Sequence, residues 1–178
     1  MDMGHSDPLT QGKTGKATMP SIISIVGKSN SGKTTLIEKL VPELKGRGHR
    51  IGVIKHAHHG FDMDHEGKDS WRHKMAGADT VIVAAPDGLA VMKTGGCDSL
   101  DKLTPFLNDV DLVITEGFKK GRYPKIEIVR AARTRQPLCR NDNTLFALVT
   151  DTDLDLGVSR FELEDITSLA DLIEHRFL

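Results

Sequence analysis

Aromatic side chains are scarce in this chain: Phe, Tyr and Trp make up 4% of 178 residues, so the core has to be aliphatic. Cysteine is scarcer still. Cys97 and Cys139 form no CxxC pair and suggest no disulfide framework, which makes a reducing cytoplasm the expected setting. No apolar run approaches the roughly 18–20 residues of a membrane-spanning helix, so no membrane association is expected. Net charge is small too. Lys and Arg total 24 against 25 Asp and Glu, leaving −1, which excludes a generic polycation of the histone type. What remains, 38% hydrophobic and 28% charged residues, is the composition of a globular protein, and the length suits one domain.

Residues 1–18 have almost no apolar side chains and no periodicity, and they read as a disordered tail ahead of a domain spanning 19–178. Ile22–Gly27 is a β-branched run of the kind buried on both faces of a sheet. A Gly/Ser/Asn loop follows, then a helix from about Lys33 to Arg47 with Leu36, Ile37, Leu40, Val41 and Leu44 at helical spacing and Pro42 inside it. Further strands are expected at Arg50–Ala57, Thr80–Ala85, Leu89–Lys93, Leu112–Thr115, Ile126–Arg130 and Leu145–Thr150. Further helices are expected at Asp69–Gly77, Asp98–Leu107 and Ile166–Phe177. The alternation predicts an α/β fold: a mainly parallel sheet flanked by helices, with a small β excursion. Such sheets bind ligands beyond the carboxyl ends of their strands.

The segment from Gly27 to Thr34 reads GKSNSGKT and satisfies G-x-x-x-x-G-K-[ST] between a buried strand and a helix, the context a P-loop NTPase requires. Glycines let the backbone curl so that successive N–H groups of Gly27, Lys28, Ser29, Asn30, Ser31 and Gly32 surround phosphate oxygens, and the helix N-terminus adds partial positive charge. Lys33 neutralises the β- and γ-phosphates, and the Thr34 hydroxyl, followed by Thr35, is placed for Mg²⁺. A second GKT at Gly12–Thr14 has Asp7 where the first glycine belongs and no preceding strand, so it is set aside.

A P-loop needs an acid to hold Mg²⁺. In DLVITEG, Asp111 lies at the wrong end of the strand and reads as structural, whereas Glu116 lies at the carboxyl end and is assigned to the metal shell or to positioning water. The loop after the second strand offers Asp62 or Asp64 as a metal ligand or as the group that orients the attacking water. Its histidines, His56, His58, His59 and His65, lack a standard zinc spacing; a solvated or phosphate-facing cluster is the plainer reading. Asp151, at the end of the strand Leu145–Thr150, is placed to accept from guanine N1 and N2, or serves only as a turn residue; the N-K-x-D signature is absent.

GKSNSGKTTLIEKLVPEL, IGVIKHAHH, DMDHEGKDSWRHKMAGAD, DLVITEGFKK and PKIEIVR together resemble the molybdopterin-guanine dinucleotide biosynthesis adaptor protein B (MobB-type) family over roughly residues 20–175. KHxHH, GKDS and EGFK are more specific than the P-loop alone. The resemblance implies a homodimeric GTP-binding protein with weak hydrolysis. It implies an accessory role beside the guanylyltransferase (MobA-type) that attaches GMP to molybdopterin, with molybdopterin itself a second candidate partner. It carries Gly27, Gly32, Lys33 and Thr34 over to phosphate and Mg²⁺ binding and Glu116 to the Walker B position. Glu66-Gly67 stands where the family commonly has Pro-Gly before GKDS, and the tail lies outside the resemblance. Lys28 is similar to an extra P-loop lysine of signal-recognition and nitrogenase-iron-protein relatives that reaches a nucleotide across a dimer; a solvated loop lysine is the plain alternative.

Charge is unevenly placed. From Lys119 to Arg140 there are eight bases and one acid, Glu127; from Asp151 to Glu174 there are eight acids and one base, Arg160. The basic stretch suits an anionic cofactor precursor or an acidic partner face. Nucleic acid fits less well, because the stretch lacks aromatics for stacking beyond Tyr123. The competing enzyme reading is a small-molecule or nucleotide kinase, with Arg130, Arg133, Arg135 and Arg140 as a lid over an acceptor phosphate. In neither reading does an arginine adjoin the P-loop in sequence, so intrinsic hydrolysis is expected to be slow.

Overall fold

A computed structural model describes residues 19–57, 60, 63–95, 99–133 and 136–178. The expected tail, His58, His59, Asp62, Cys97 and Arg135 lie outside the described residues. In chain order the elements are β1 Ser21–Val26, α1 Lys33–Gly46, β2 Ile51–Lys55, α2 Asp69–Met75, β3 Thr80–Ala85 and β4 Gly88–Lys93. They continue with β5 Leu112–Glu116, β6 Lys125–Val129, β7 Leu145–Thr150, β8 Ser159–Phe161 and α3 Ile166–Phe177.

Six strands form one sheet in the order β2-β5-β1-β6-β7-β8, and every pairing is parallel. Parallel strands are covered on both faces, which is why IISIV, LVIT and LFALVT read as near-continuous apolar runs. Alternation then sorts the faces. Ile23, Ile25, Leu112, Ile114, Ile126 and Ile128 meet Leu36, Ile37, Leu40 and Leu44 of α1 and Leu169, Ala170 and Ile173 of α3 in one aliphatic core. Arg47 fastens the two helices at the surface, donating to Glu43, Asp171 and Glu174. Asp165 caps α3 by accepting from the Ser168 N–H at 3.3 Å. Ser21 Oγ donates to the Phe177 carbonyl at 2.8 Å, so the start of β1 meets the end of α3.

The buried polar residues sit between the apolar positions of the strands. Thr115 Oγ1 donates to Ser24 Oγ at 2.8 Å. Lys125 and Glu127 are each 1% exposed. The basic stretch is therefore not one surface. β6 runs through it in the middle of the sheet, and Lys125 is buried there, donating to Gly121 O and Thr144 Oγ1 at 2.6 Å and pairing with Asp142 at 3.1 Å.

The small β excursion is the antiparallel hairpin β3–β4, which pairs only with itself. One expectation is corrected. The helix expected over Asp98–Leu107 is two 3₁₀ turns, Leu100–Lys102 and Thr104–Phe106. Pro105 disfavours the α conformation at the preceding residue and supplies no N–H, which breaks an α-helix there. β8 was not foreseen: three residues at the sheet edge are too short to show a period.

Candidate functional site

The order of strands reverses its sense at β1. The chain leaves β1 through α1 for β2 on one side, and the later strands β6 to β8 lie on the other. Crevices at such a switch point, beyond the carboxyl ends of the strands, are where open α/β sheets hold ligands. The GKSNSGKT segment occupies that point, between β1 and α1.

Its glycines answer to measurable constraints. Gly27 has φ +153°, and a Cβ there would stand 2.6 Å from the Ile128 carbonyl and 2.6 Å from Ser31 Oγ. Gly32 has φ +96°, a left-handed conformation, and caps α1 without a side-chain bond. The Lys33 ammonium arches back over the loop, donating to the carbonyls of Lys28 at 2.9 Å and Gly27 at 3.2 Å. Burial is the largest influence on Lys33 and holds its pKa below the usual lysine range; Glu116 opposes the fall and Lys55 adds to it.

Glu116 comes to the loop by the register of β5 against β1, which pairs Glu116 with Ile25. Thr34 Oγ1 donates to both Glu116 oxygens at 3.3 Å, and Lys55 lies 3.9 Å from the same carboxylate. Thr34 and Glu116, from distant parts of the sequence, thus present hard oxygen donors side by side. Behind them Gly117, φ +105°, has space for a Cβ only at 3.3 Å from His56 Cβ. Phe118, φ +52°, stacks on the His56 ring with centroids 4.4 Å apart. His56 is thus held by an aromatic neighbour. Among the described residues no group of three or more His, Cys, Asp or Glu is arranged to hold a metal ion.

These parts line a cleft of about 950 Å³. Lys28, Lys33, Lys55, Lys119 and Arg130 face Glu116 as its one carboxylate among the described residues, so the cleft is strongly positive. Ser29, Asn30, Gly32, Thr34 and Thr35 also line it, and Ser31 is buried beneath.

Other expected site residues lie elsewhere. Asp64 does not line the cleft; its Oδ1 accepts from the His65 N–H at 3.0 Å and Ser70 Oγ at 2.9 Å, which ties the turn to the start of α2. Asp62 is outside the described residues. Asp151 stands at the end of β7, as expected, but its Oδ1 accepts from the Ala131 N–H at 2.7 Å, and its Oδ2 lies 4.0 Å from Arg130 Nε. It is not among the cleft-lining residues.

The sequence offers Arg130 and Arg133 only as a lid in the kinase reading, and does not place them against the P-loop. Arg130 lines the cleft beside Gly32, and Arg133 donates to the Asn30 carbonyl at 3.3 Å. Sequence adjacency therefore misled: two arginines adjoin the P-loop in space. The pairing of β6 with β1, which sets Glu127 against Val26, brings them there. No local signal carries that pairing. Leu138, also in the cleft lining, was missed for the same reason.

Comparison with known proteins agrees with this geometry. Residues 22–151 match the family model for molybdopterin guanine dinucleotide synthesis protein B, MobB. A molybdopterin-guanine dinucleotide biosynthesis adapter protein of Haemophilus influenzae is 43% identical over 157 residues, covering 86% of this chain and 88% of that protein. The Escherichia coli K12 adapter protein is 37% identical over 164 residues, covering 88% and 93%. The crystal structure of a molybdopterin-guanine biosynthesis protein B superposes with a TM-score of 0.70 at 34% identity, over 86% of this chain and 97% of that one. The matched span runs from β1 and its phosphate loop to Asp151 at the end of β7, taking in the whole cleft, and the chain belongs to the MobB family.

Proposed function

We propose that this chain is a GTP-binding adapter in molybdopterin guanine dinucleotide biosynthesis, with slow hydrolysis and Mg²⁺ as the nucleotide's ion. The observation that carries the reading is the Thr34–Glu116 pair set against Lys33 at the mouth of a cationic P-loop cleft, in a chain of the MobB family. A hydroxyl and a carboxylate side by side fit Mg²⁺, which takes oxygen ligands and keeps several waters. Lys33 and the loop N–H groups would hold the phosphates, Thr34 and Glu116 the ion, and the ion would neutralise charge on the β- and γ-oxygens. The preference for guanine rests on the guanine dinucleotide named for the relatives rather than on Asp151, one of whose oxygens is engaged by Ala131. The partner that fits is the guanylyltransferase of the same pathway.

A homodimer is part of the proposal. The hairpin β3–β4 exposes Ile82 (61%), Val83 (46%) and Leu89 (70%). A lone two-stranded hairpin is marginal in water, and exposed apolar residues of this kind favour coverage by a second copy.

A thermal-shift comparison tests the nucleotide reading. GTP with Mg²⁺ is expected to raise the melting temperature more than ATP with Mg²⁺ at equal concentration, through binding to the folded state. Lys33→Ala should remove most of the effect, since charge-assisted bonds to phosphate contribute roughly 1.5–3 kcal/mol each. Equal shifts, or a larger one with ATP, overturn the guanine assignment; an unchanged shift in Lys33→Ala overturns the P-loop assignment.

A further inference from the structure

The two flanks of the P-loop differ in chemistry. On the β5 and β2 side stand Glu116, Lys55 and Lys119; on the β6 side stand Arg130 and Leu138. Thr34 and Glu116 would hold the nucleotide's ion, so the distal end of a triphosphate would lie on the β5 side. The nucleoside would then leave the loop toward β6. On that side the lining offers Leu138, an apolar side chain 40% exposed, next to the charged Arg130; the other apolar side chains of the lining, Val26 and Phe118, belong to the end of β1 and to the β5 side.

Leu138 is also held in place from below. Glu127 of β6 is 1% exposed, and its two oxygens accept from successive backbone N–H groups, Oε1 from Leu138 at 2.5 Å and Oε2 from Cys139 at 2.9 Å. A buried carboxylate is strongly disfavoured unless each oxygen is bonded, so the bonds bind both ways: they stabilise the charge and they fix the Leu138–Cys139 backbone. Cys139 is buried beside Val26 and Leu145, which anchors the segment against the end of β1, next to Gly27. Arg133, a few residues before it, is fastened to the P-loop through the Asn30 carbonyl.

We propose that Leu138 is the apolar wall against which the nucleoside of the bound nucleotide packs, and that Glu127 is the positioning residue that holds this wall. The proposal rests on the nucleotide reading above and goes past it, because it assigns the base side of the cleft to a segment that carries no guanine signature.

The test measures two affinities in parallel on each full-length variant, one for GTP with Mg²⁺ and one for inorganic tripolyphosphate with Mg²⁺. The second ligand has phosphates and no nucleoside. Leu138→Ser should weaken GTP about tenfold, the scale of losing part of one buried leucine contact, and leave tripolyphosphate within about twofold. Leu138→Met should restore GTP binding to within about threefold of the parent. Glu127→Gln keeps the shape but turns an amide N–H₂ toward a backbone N–H. It should weaken GTP and spare tripolyphosphate in the same ratio as Leu138→Ser. If Leu138→Ser leaves the ratio of the two affinities unchanged, the wall is overturned, whatever Glu127→Gln does. If Leu138→Ser changes the ratio and folded Glu127→Gln does not, the positioning role is overturned. Lys33→Ala separates this from failure of the underlying reading: it should lose both ligands, and its retention of both would overturn the P-loop assignment itself.

Discussion

Asp111 immediately precedes β5 and Glu116 ends it, and position along the strand gives them different roles. Glu116 faces the phosphate loop, whereas Asp111 meets Arg50 at the opposite edge, with Arg50 Nη2 to Oδ1 at 2.6 Å and the Arg50 backbone N–H to Oδ2 at 2.8 Å. Hydrogen bonds from the Arg50 side chain, then from its backbone, pull the Asp111 carboxyl from 3.8 down to about 2. The folded value lies below the unfolded one, so this contact contributes stability above about pH 3.8 and loses it as the pH falls toward 2. Asp111→Asn should therefore be less stable than the parent at neutral pH, in urea melts, with the difference shrinking across that acid window. A difference that stays constant through the window would show that ionisation of Asp111 is not its source. The pair is largely open to water, so the effect is expected to be small and salt-sensitive.

At the scale of elements, α1 joins the core to the cleft, since its first turn carries Lys33 and Thr34 and its buried stripe carries Leu36, Ile37, Leu40 and Leu44. Leu40 is fully buried, and Leu40→Ala should lower unfolding free energy by about 2–5 kcal/mol in chemical denaturation. Nucleotide affinity of the folded fraction should hold, because Leu40 lies two turns from the loop; a large loss of affinity at full folding would mean that the helix moves as the core loosens. The same helix shows why much of the site was legible in sequence. A P-loop is local: eight consecutive residues specify the loop, the lysine and the threonine, and the flanking strand and helix declare themselves by period. Glu116 was legible by one further rule, that ligands meet the carboxyl ends of parallel strands. Arg130, Arg133 and Leu138 obey no local rule, since they reach the loop only through the pairing of β6 with β1. Lys125 and Glu127 misled in a related way. Charged residues in a basic run read as surface, and only tertiary partners show that both are buried and bonded. Asp64 reads as catalytic from its loop; its Oδ1 accepts from the Ser70 hydroxyl at 2.9 Å.

For the molecule as a whole, the hairpin β3–β4 is thinly covered: of its twelve strand residues only Val81 is buried. Ile82→Lys combined with Leu89→Lys should leave the six-stranded sheet and the P-loop intact, since the hairpin pairs with neither. It should lower the molar mass measured by light scattering from a dimer toward a monomer; an unchanged mass would move the interface elsewhere. The contact between Ser21 and Phe177 has a consequence of another kind. It places Ser21 and Phe177 together at the amino edge of β1, whereas the phosphate loop leaves the other end of that strand, six residues and about 20 Å away. A fluorophore or surface tether joined at Met19 or Leu178, both exposed, is therefore seated on the pole opposite the cleft. Two such probes, one at each position, would sit close enough to exchange energy efficiently, and would report detachment of α3 from the sheet while the cleft stays clear for its ligand.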